Sequence, residues 1–186
     1  MTKRATARAH EVVAEVLREG DLSVDATAGN GHDTLFLAGL VGAAGRVIAI
    51  DLQAVAIESA RARIEAAGLA GRVEFFQESH ALLADRVAGG VGAVMFNLGY
   101  LPGADHEVIT RKDETLVALE AARGVLRPGG VLTVVCYPGH PGGDDEASAV
   151  VDWAGEVGAE VFPAAREAAP FLVAWWKSES LETAVP

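Results

Sequence analysis

The sequence is poor in cysteine and has no long apolar run, and each shortage excludes a class of protein. Cys136 is the only cysteine among 186 residues, so the chain cannot form an internal disulfide, and we expect it in a reducing cytoplasm. No apolar run approaches the roughly 20 residues of a membrane span, so we expect no membrane insertion. Cys136 lies in the apolar segment "VLTVVCY", where packing rather than nucleophilic chemistry is the expected role.

Positive charge is also scarce. There are 15 Lys and Arg residues against 26 Asp and Glu residues, which gives a net charge of −11. DNA-wrapping proteins neutralise many phosphates, so this balance argues against DNA as a partner. The charge is uneven, however: residues 1–20 hold four bases against three acids, and residues 140–186 hold nine acids against two bases. A small RNA-binding surface near the N-terminus is compatible with this distribution.

The alternation of strand and helix patterns predicts one α/β domain over residues 1–186. Five βα units followed by two late strands indicate a Rossmann-like, doubly wound, mostly parallel seven-stranded sheet with helices on both faces. "RPGG" (127–130) is predicted to turn the chain into the fifth strand. Ligands of such sheets bind beyond the carboxyl ends of the strands, so the residues after each strand are the candidates.

The first predicted strand leads into the glycine-rich segment "VDATAGNGHDT" (24–34). Gly29 and Gly31 allow close backbone approach to a ligand, and the following helix start offers free N–H groups. Thr34 occupies the third glycine position of the dinucleotide motif G-x-G-x-x-G, which weighs against an NAD-binding module. Asp51 ends the second strand 20 residues after Gly31, where an acid can accept ribose hydroxyls or cap the next helix. Together the turn and the acid favour an adenosine-type cofactor.

These residues resemble the first two motifs of the class I methyltransferases that use S-adenosylmethionine. The resemblance implies that Asp25 serves the methionine end of the cofactor and Asp51 the ribose. Thr27 stands where many members have a glycine. Ser79 and His80 follow the third strand, where the family contacts adenine, although ordinary loop residues are an equal interpretation. The cofactor contacts expected in this way are Asp25, Thr27, Gly29, Asn30, Gly31, Asp33, Asp51, Gln53, Ser79, His80 and Asn97.

The segment "FNLGYLPG" (96–103) follows the fourth strand. Asn97 and Tyr100 have the spacing of the Asn-Pro-Pro-Tyr motif of methyltransferases that act on amino nitrogens. An Asn carbonyl can hold an N–H aside while the lone pair faces the methyl donor, and an aromatic ring can stack on the attached base. A plain turn is the alternative. His106 and His140 follow the fourth and fifth strands and are candidate general bases, or else solvated loop residues. The predicted catalytic residues are therefore Asn97, Tyr100, His106 and His140, with no metal.

A longer set of segments carries a more specific resemblance. "DATAGNGHDT", "NLGYLPGADHEVIT", "YPGHPGG" and "PFLVAWWK" resemble, in this order, a bacterial family named "putative rRNA methylases". Its Bacillus-type members convert 5-aminomethyl-2-thiouridine at tRNA wobble position 34 to the 5-methylaminomethyl form. The resemblance implies an S-adenosylmethionine-dependent N-methyltransferase whose partner is the anticodon loop of tRNA. The N-terminal helix and "REAAP" (166–170) depart from the family pattern.

The sequence is also compatible with other functions. An rRNA or small-molecule amine methyltransferase is one alternative, and the acidic charge favours the small molecule. A non-catalytic protein that binds S-adenosylmethionine is a second. The aromatic, apolar C-terminal strand also makes a homodimer an expectation.

Overall fold

A computed structural model describes residues 4–99, 112–139, 142–164, 166 and 168–179. Seven strands form one sheet in the order β3-β2-β1-β4-β5-β7-β6, and β7 alone runs antiparallel to its neighbours. This arrangement confirms the predicted Rossmann-like, mostly parallel seven-stranded sheet. The strands are β1 Leu22–Asp25, β2 Arg46–Asp51, β3 Val73–Gln77, β4 Val91–Leu98, β5 Leu126–Cys136, β6 Glu160–Phe162 and β7 Phe171–Trp176.

Helices cover both faces of the sheet, as the alternating pattern predicts. They are α1 Ala5–Val16, α2 His32–Leu40, α3 Ala54–Ala66, α4 Leu83–Arg86, α5 Lys112–Val125 and α6 Gly143–Val157, with 3₁₀ turns at Ala70–Arg72 and His80–Leu82. No helix among the described residues is long and apolar enough to cross a bilayer.

Two apolar cores lie on opposite sides of the sheet because successive strand residues face opposite ways. Val47 and Ala49 of β2 join the core under α1, α2 and α3, whereas Ile48 and Ile50 join the core under α4, α5 and α6. Cys136 is buried, and this burial raises the pKa of its thiol. The thiol therefore stays protonated, as expected of a packing residue.

The segment 127–130 departs from its prediction as a turn outside the strand. It lies within β5, which begins at Leu126 and pairs there with Val91 of β4. The register then jumps, so that Ala93 pairs with Val131. Gly129 has a φ of 71°, and this left-handed residue lets the extra chain bulge while the strand continues.

The carboxyl ends of the parallel strands meet at one edge of the sheet. β1 pairs with β2 on one side and with β4 on the other, so strand order reverses at β1. The crevice outside this reversal is the ligand site of doubly wound sheets. The ends of β1, β2 and β4 carry Asp25, Asp51 and Asn97 to this place.

Candidate active site

The connection from β1 to α2, residues 26–31, is called the β1 turn below. Its backbone is held by both neighbouring strands: Ala26 N–H donates to the Met95 carbonyl and Ala28 N–H to the Ile50 carbonyl, each at 2.9 Å. Gly31 closes the turn with a φ of 76°. A Cβ at Gly31 would lie 2.7 Å from Ala60 Cα, so only glycine fits against α3. The turn is therefore rigid and closely packed.

Asp25 lies at the base of the β1 turn and is fully buried. Its Oδ2 accepts a 2.6 Å hydrogen bond from Thr34 Oγ1, and its Oδ1 accepts one from the Thr27 N–H at 3.2 Å. Burial, followed by the charge of Asp33, raises the pKa of Asp25 to about 7, and the two hydrogen bonds oppose that rise. A positive charge placed beside this carboxyl would therefore favour its ionised form and lower its pKa.

Asp51 closes β2 and receives two backbone hydrogen bonds. Gly29 N–H donates to Oδ2 and Gln53 N–H donates to Oδ1, both at 2.9 Å. Burial raises the pKa of Asp51, while these N–H donors lower it. The contact with Gly29 couples Asp51 to the β1 turn, so the carboxylate has a fixed direction. Each oxygen keeps a second lone pair that can accept a ligand hydroxyl.

Asn97 is joined to the β1 turn through its main chain. Its N–H donates to Thr27 Oγ1 at 2.7 Å. Thr27, the departure from the usual glycine, thus supplies a bond that glycine cannot make. The candidate catalytic residue and the candidate cofactor turn form one hydrogen-bonded unit.

The side chain of Asn97 is held by Asp33, near the start of α2. Asn97 Nδ2 donates to Asp33 Oδ2 at 3.2 Å, and His10 Nε2 of α1 lies 2.6 Å from Asp33 Oδ1. The exposed fraction of the side chain is 32% for His10 and 10% for Asp33. The sequence prediction did not include His10. The available signal was a histidine on α1 three residues before the buried Val13, beside the buried Ala9.

Tyr137 follows β5 and lies against Asn97 and Gly99. A Cβ at Gly99 would be 3.3 Å from Tyr137 Cδ2, so the missing side chain makes room for the ring. Burial and then the charge of Asp33 raise the pKa of Tyr137, and a hydrogen bond with the Asn97 side chain opposes that rise. Tyr137 is an aromatic wall beside Asn97, where a base could stack.

Asn30 is bound from the side of α3. Ser59 Oγ donates to Asn30 Oδ1 at 3.1 Å, and Arg63 Nε donates to the Asn30 carbonyl at 2.6 Å. His32 contacts Arg63 through Nε2 at 3.3 Å. The described contacts of Asn30 therefore hold the turn in place, and its contact with a cofactor stays a prediction.

Ser79 and His80 differ in how accessible they are. Ser79 Oγ donates to Glu114 Oε2 at 2.8 Å and accepts from the Ala81 N–H. His80 is buried edge-on against Phe96, and its burial lowers the pKa of the imidazole. The Glu114 charge and a backbone hydrogen bond with Ala26 oppose that shift. His80 is thus a support beneath the β1 turn in its described contacts, and the predicted adenine contact of both residues stays untested.

Three of the four predicted catalytic residues, Tyr100, His106 and His140, lie outside the described residues. The remaining one, Asn97, contacts Thr27 of the β1 turn and Asp33 of α2. Across residues 4–99, 112–139 and the later described ranges, no group of His, Cys, Asp and Glu side chains has the arrangement of a metal site.

The described residues fit S-adenosylmethionine. The cofactor carries a sulfonium and an ammonium group, and Asp25 supplies a carboxyl at the sheet switch point. Asp51 is directed by two N–H donors and has the lone pairs that ribose hydroxyls require. The absence of a Cβ at Gly31 lets the turn pack closely against Ala60 of α3.

Comparison with known proteins agrees with this geometry. Residues 47–168 match the profile of the family described as "Putative rRNA methylase". A chloroplastic tRNA (mnm5s2U34)-methyltransferase from Arabidopsis thaliana is 42% identical over 158 residues, which are 80% of this chain and 58% of the plant protein. The chain therefore spans less than two thirds of that relative.

Solved structures resemble this chain over nearly its whole length. A protein from Clostridium thermocellum described as a "putative rRNA-methylase" is 36% identical, with a TM-score of 0.90 over 94% of this chain and 97% of that one. A "putative methyltransferase" from Streptococcus mutans in complex with SAH is 33% identical, with a TM-score of 0.86 over 95% of this chain and 99% of that one.

These matches confirm the resemblance in motifs and strand order. The chain belongs to the "Putative rRNA methylase" family and is, by family and fold, a methyltransferase of the S-adenosylmethionine-dependent class.

Proposed function

We propose that this chain methylates the aminomethyl nitrogen of 5-aminomethyl-2-thiouridine at tRNA wobble position 34, which gives the 5-methylaminomethyl form. The observation that carries the proposal is the fixed Asn97, whose main chain and side chain both bond to the region around the β1 turn. An Asn amide beside the methyl donor is suited to an amino nitrogen. The plant relative, whose name specifies this tRNA position, supports the choice of acceptor.

In this proposal each residue has a simple task. The bound cofactor supplies an electrophilic methyl group on a positively charged sulfur. Asp51 holds the ribose, and the β1 turn with Asp25 holds the methionine end. Asn97 Oδ1 accepts an N–H of the acceptor amine, so that the nitrogen lone pair faces the methyl group.

The acceptor must lose a proton before it can react. An alkyl ammonium has a pKa near that of Lys, about 10.4, and the nearby sulfonium charge lowers it. The free amine then forms the new N–C bond as the S–C bond breaks, and the product carries a positive charge until it loses a second proton. His106 and His140 are the proposed acceptors of the first proton.

The proposed partner is the anticodon loop of tRNA. Its bases are unpaired, so stacking on Tyr100 or Tyr137 requires no opening of a duplex. Lys112, which is exposed at the start of α5, is a candidate phosphate contact together with Arg111 and the N-terminal bases. We also propose that residues 1–186 act as one domain, that the reaction occurs in the cytoplasm, and that the chain forms a homodimer.

The direct test supplies purified protein with labelled S-adenosylmethionine and tRNA that lacks only the final methyl group. We expect label in the wobble nucleoside, identified by mass spectrometry after digestion. The matched control is the same tRNA carrying unmodified uridine at position 34, which should take up no label. Transfer to rRNA or to a free amine, with none to this tRNA, would overturn the acceptor and leave the methyltransferase class intact.

A further inference from the structure

His10, Asp33 and Asn97 form a chain of hydrogen bonds that links three elements. His10 Nε2 of α1 lies 2.6 Å from Asp33 Oδ1, and Asn97 Nδ2 at the end of β4 donates to Asp33 Oδ2 at 3.2 Å. The two carboxylate oxygens thus have different partners. The His10 ring stacks on Phe36 with a centroid distance of 3.9 Å and an interplanar angle of 3°.

The direction of these hydrogen bonds follows from the chemistry of a carboxylate. An ionised carboxylate only accepts, so His10 Nε2 and Asn97 Nδ2 must both carry the hydrogens. Reversal of the Asn97 amide would place its oxygen against Asp33 Oδ2, which is repulsive. Asp33 therefore selects one of the two amide orientations, with Asn97 Oδ1 directed away from the carboxylate.

Asn97 has two restraints besides Asp33, of which one is a hydrogen bond between its side chain and Tyr137. The main chain of Asn97 is fixed by Thr27 Oγ1 at 2.7 Å. A histidine at position 10 is not needed for packing alone, because a phenylalanine could stack on Phe36 equally well. What the imidazole adds is the donor that holds Asp33 Oδ1.

We propose that His10 and Asp33 are positioning residues for methyl transfer, which keep Asn97 Oδ1 directed at the acceptor amine. This inference rests on the proposed function, in which that amine is the nucleophile. His10 acts through Asp33, and Asp33 acts through Asn97. The N-terminal helix, whose sequence departs from the family pattern, thereby contributes to the active site.

The kinetic test uses His10→Phe, which keeps the ring stack and removes the donor. We expect kcat to fall about tenfold or more, because a small misplacement of a reacting group is costly. KM for tRNA and the Kd for S-adenosylhomocysteine should change less than about threefold. Asp33→Asn can still accept from Asn97 and should retain more activity than Asp33→Ala. Glu15→Gln, on the exposed side of the same helix, is the matched control and should behave as wild type.

A second measurement does not require turnover. The sequence contains only two Asn and two Gln residues, so the side-chain amide region of a ¹⁵N NMR spectrum holds few signals. Asn97→Asp assigns the Asn97 pair. We expect this pair to shift and to exchange faster with solvent in His10→Phe and in Asp33→Ala, while Glu15→Gln leaves it unchanged.

The two readouts separate the possible failures. An unchanged Asn97 signal in both variants overturns the positioning role, as does an unchanged kcat in His10→Phe. A rise in the Kd for S-adenosylhomocysteine that matches the loss of kcat/KM would assign His10 and Asp33 to the cofactor instead. If wild type transfers no methyl to this tRNA, the proposed function fails, and the amide spectrum still decides whether His10 orients Asn97.

Discussion

Thr27 Oγ1 accepts the main-chain N–H of Asn97 at 2.7 Å, and this bond joins the end of β1 to the end of β4. The turn that we assign to the cofactor and the residue that we assign to the amine therefore share one framework. Movement of either strand end displaces the other. Substitutions in the β1 turn should mainly weaken cofactor binding, whereas substitutions at the end of β4 should mainly slow methyl transfer.

Asp51→Ala should weaken cofactor binding. Hydrogen bonds to a charged group contribute about 1.5–3 kcal/mol, so the Kd for S-adenosylhomocysteine should rise about 10- to 100-fold. Isothermal titration calorimetry measures this directly. Glu74→Gln, which alters an exposed acid that pairs with Arg46, is the matched control and should bind as wild type does. An unchanged Kd in Asp51→Ala would move the ribose contact to another residue.

Asn97→Ala should separate transfer from binding. It removes the amide oxygen but leaves the main-chain bond to Thr27, so the β1 turn keeps its shape. We expect kcat to fall about 100-fold or more while the Kd for S-adenosylhomocysteine changes only a few-fold. Single-turnover transfer to tRNA with excess enzyme isolates the chemical step. Wild-type transfer in this variant would remove Asn97 from the mechanism.

Asp25→Asn should stabilise the cofactor-free protein at neutral and higher pH. The pKa of Asp25 rises from 3.8 to about 7 in the folded chain, chiefly through burial and then through the charge of Asp33, with Asp51 adding to it. The folded protein therefore binds a proton that the unfolded chain releases between about pH 4 and 7, and stability falls across that window. The stability contributed by the protonated carboxyl is complete below pH 4 and lost above pH 7.

The expected difference at pH 8 is on the order of 2–4 kcal/mol in favour of Asp25→Asn, and it should shrink towards pH 4. Urea unfolding at several pH values, without cofactor, measures it. The same variant should bind S-adenosylhomocysteine more weakly. A stability difference that does not vary with pH would contradict the assignment of the raised pKa to Asp25.

Gly31→Ala should destabilise the fold more than Gly68→Ala. Both glycines have positive φ, 76° and 72°, so both substitutions carry backbone strain of about 1–3 kcal/mol. Only at Gly31 would the new Cβ meet a neighbour, Ala60 Cα at 2.7 Å; nothing lies within 4 Å at Gly68. Thermal unfolding of the two variants should show a clearly larger loss of Tm for Gly31→Ala. Equal losses would mean that α3 moves aside without cost.

The fold was largely predictable because it depends on local periodicity. Apolar strands, helices with one buried side and glycine stops recur in order, and topology rules then limit their arrangement. The segment 127–130 was the exception: a Pro-Gly-Gly sequence is typical of a turn, yet pairing with Val91 continues the strand through it.

The site was predictable only in part. Asp25, Asp51 and Asn97 lie at strand ends, and Gly31 lies in the turn after β1, where sequence position alone indicates a ligand site. His10 could not be found in this way, because its contact with Asp33 joins residues 23 apart through the packing of two helices. The sequence also does not distinguish a buried residue that supports the site from an exposed residue that contacts a ligand, as the burial of His80 illustrates.

The close approach of Gly31 to Ala60 has a consequence for how the site responds to its surroundings. The carboxylates of the site attract or release protons as the solution changes, and salt weakens their interactions. The contact between Gly31 and Ala60 involves no charge, so neither acidity nor ionic strength alters it. The packing of Gly31 against α3 should therefore persist under conditions in which those charges change.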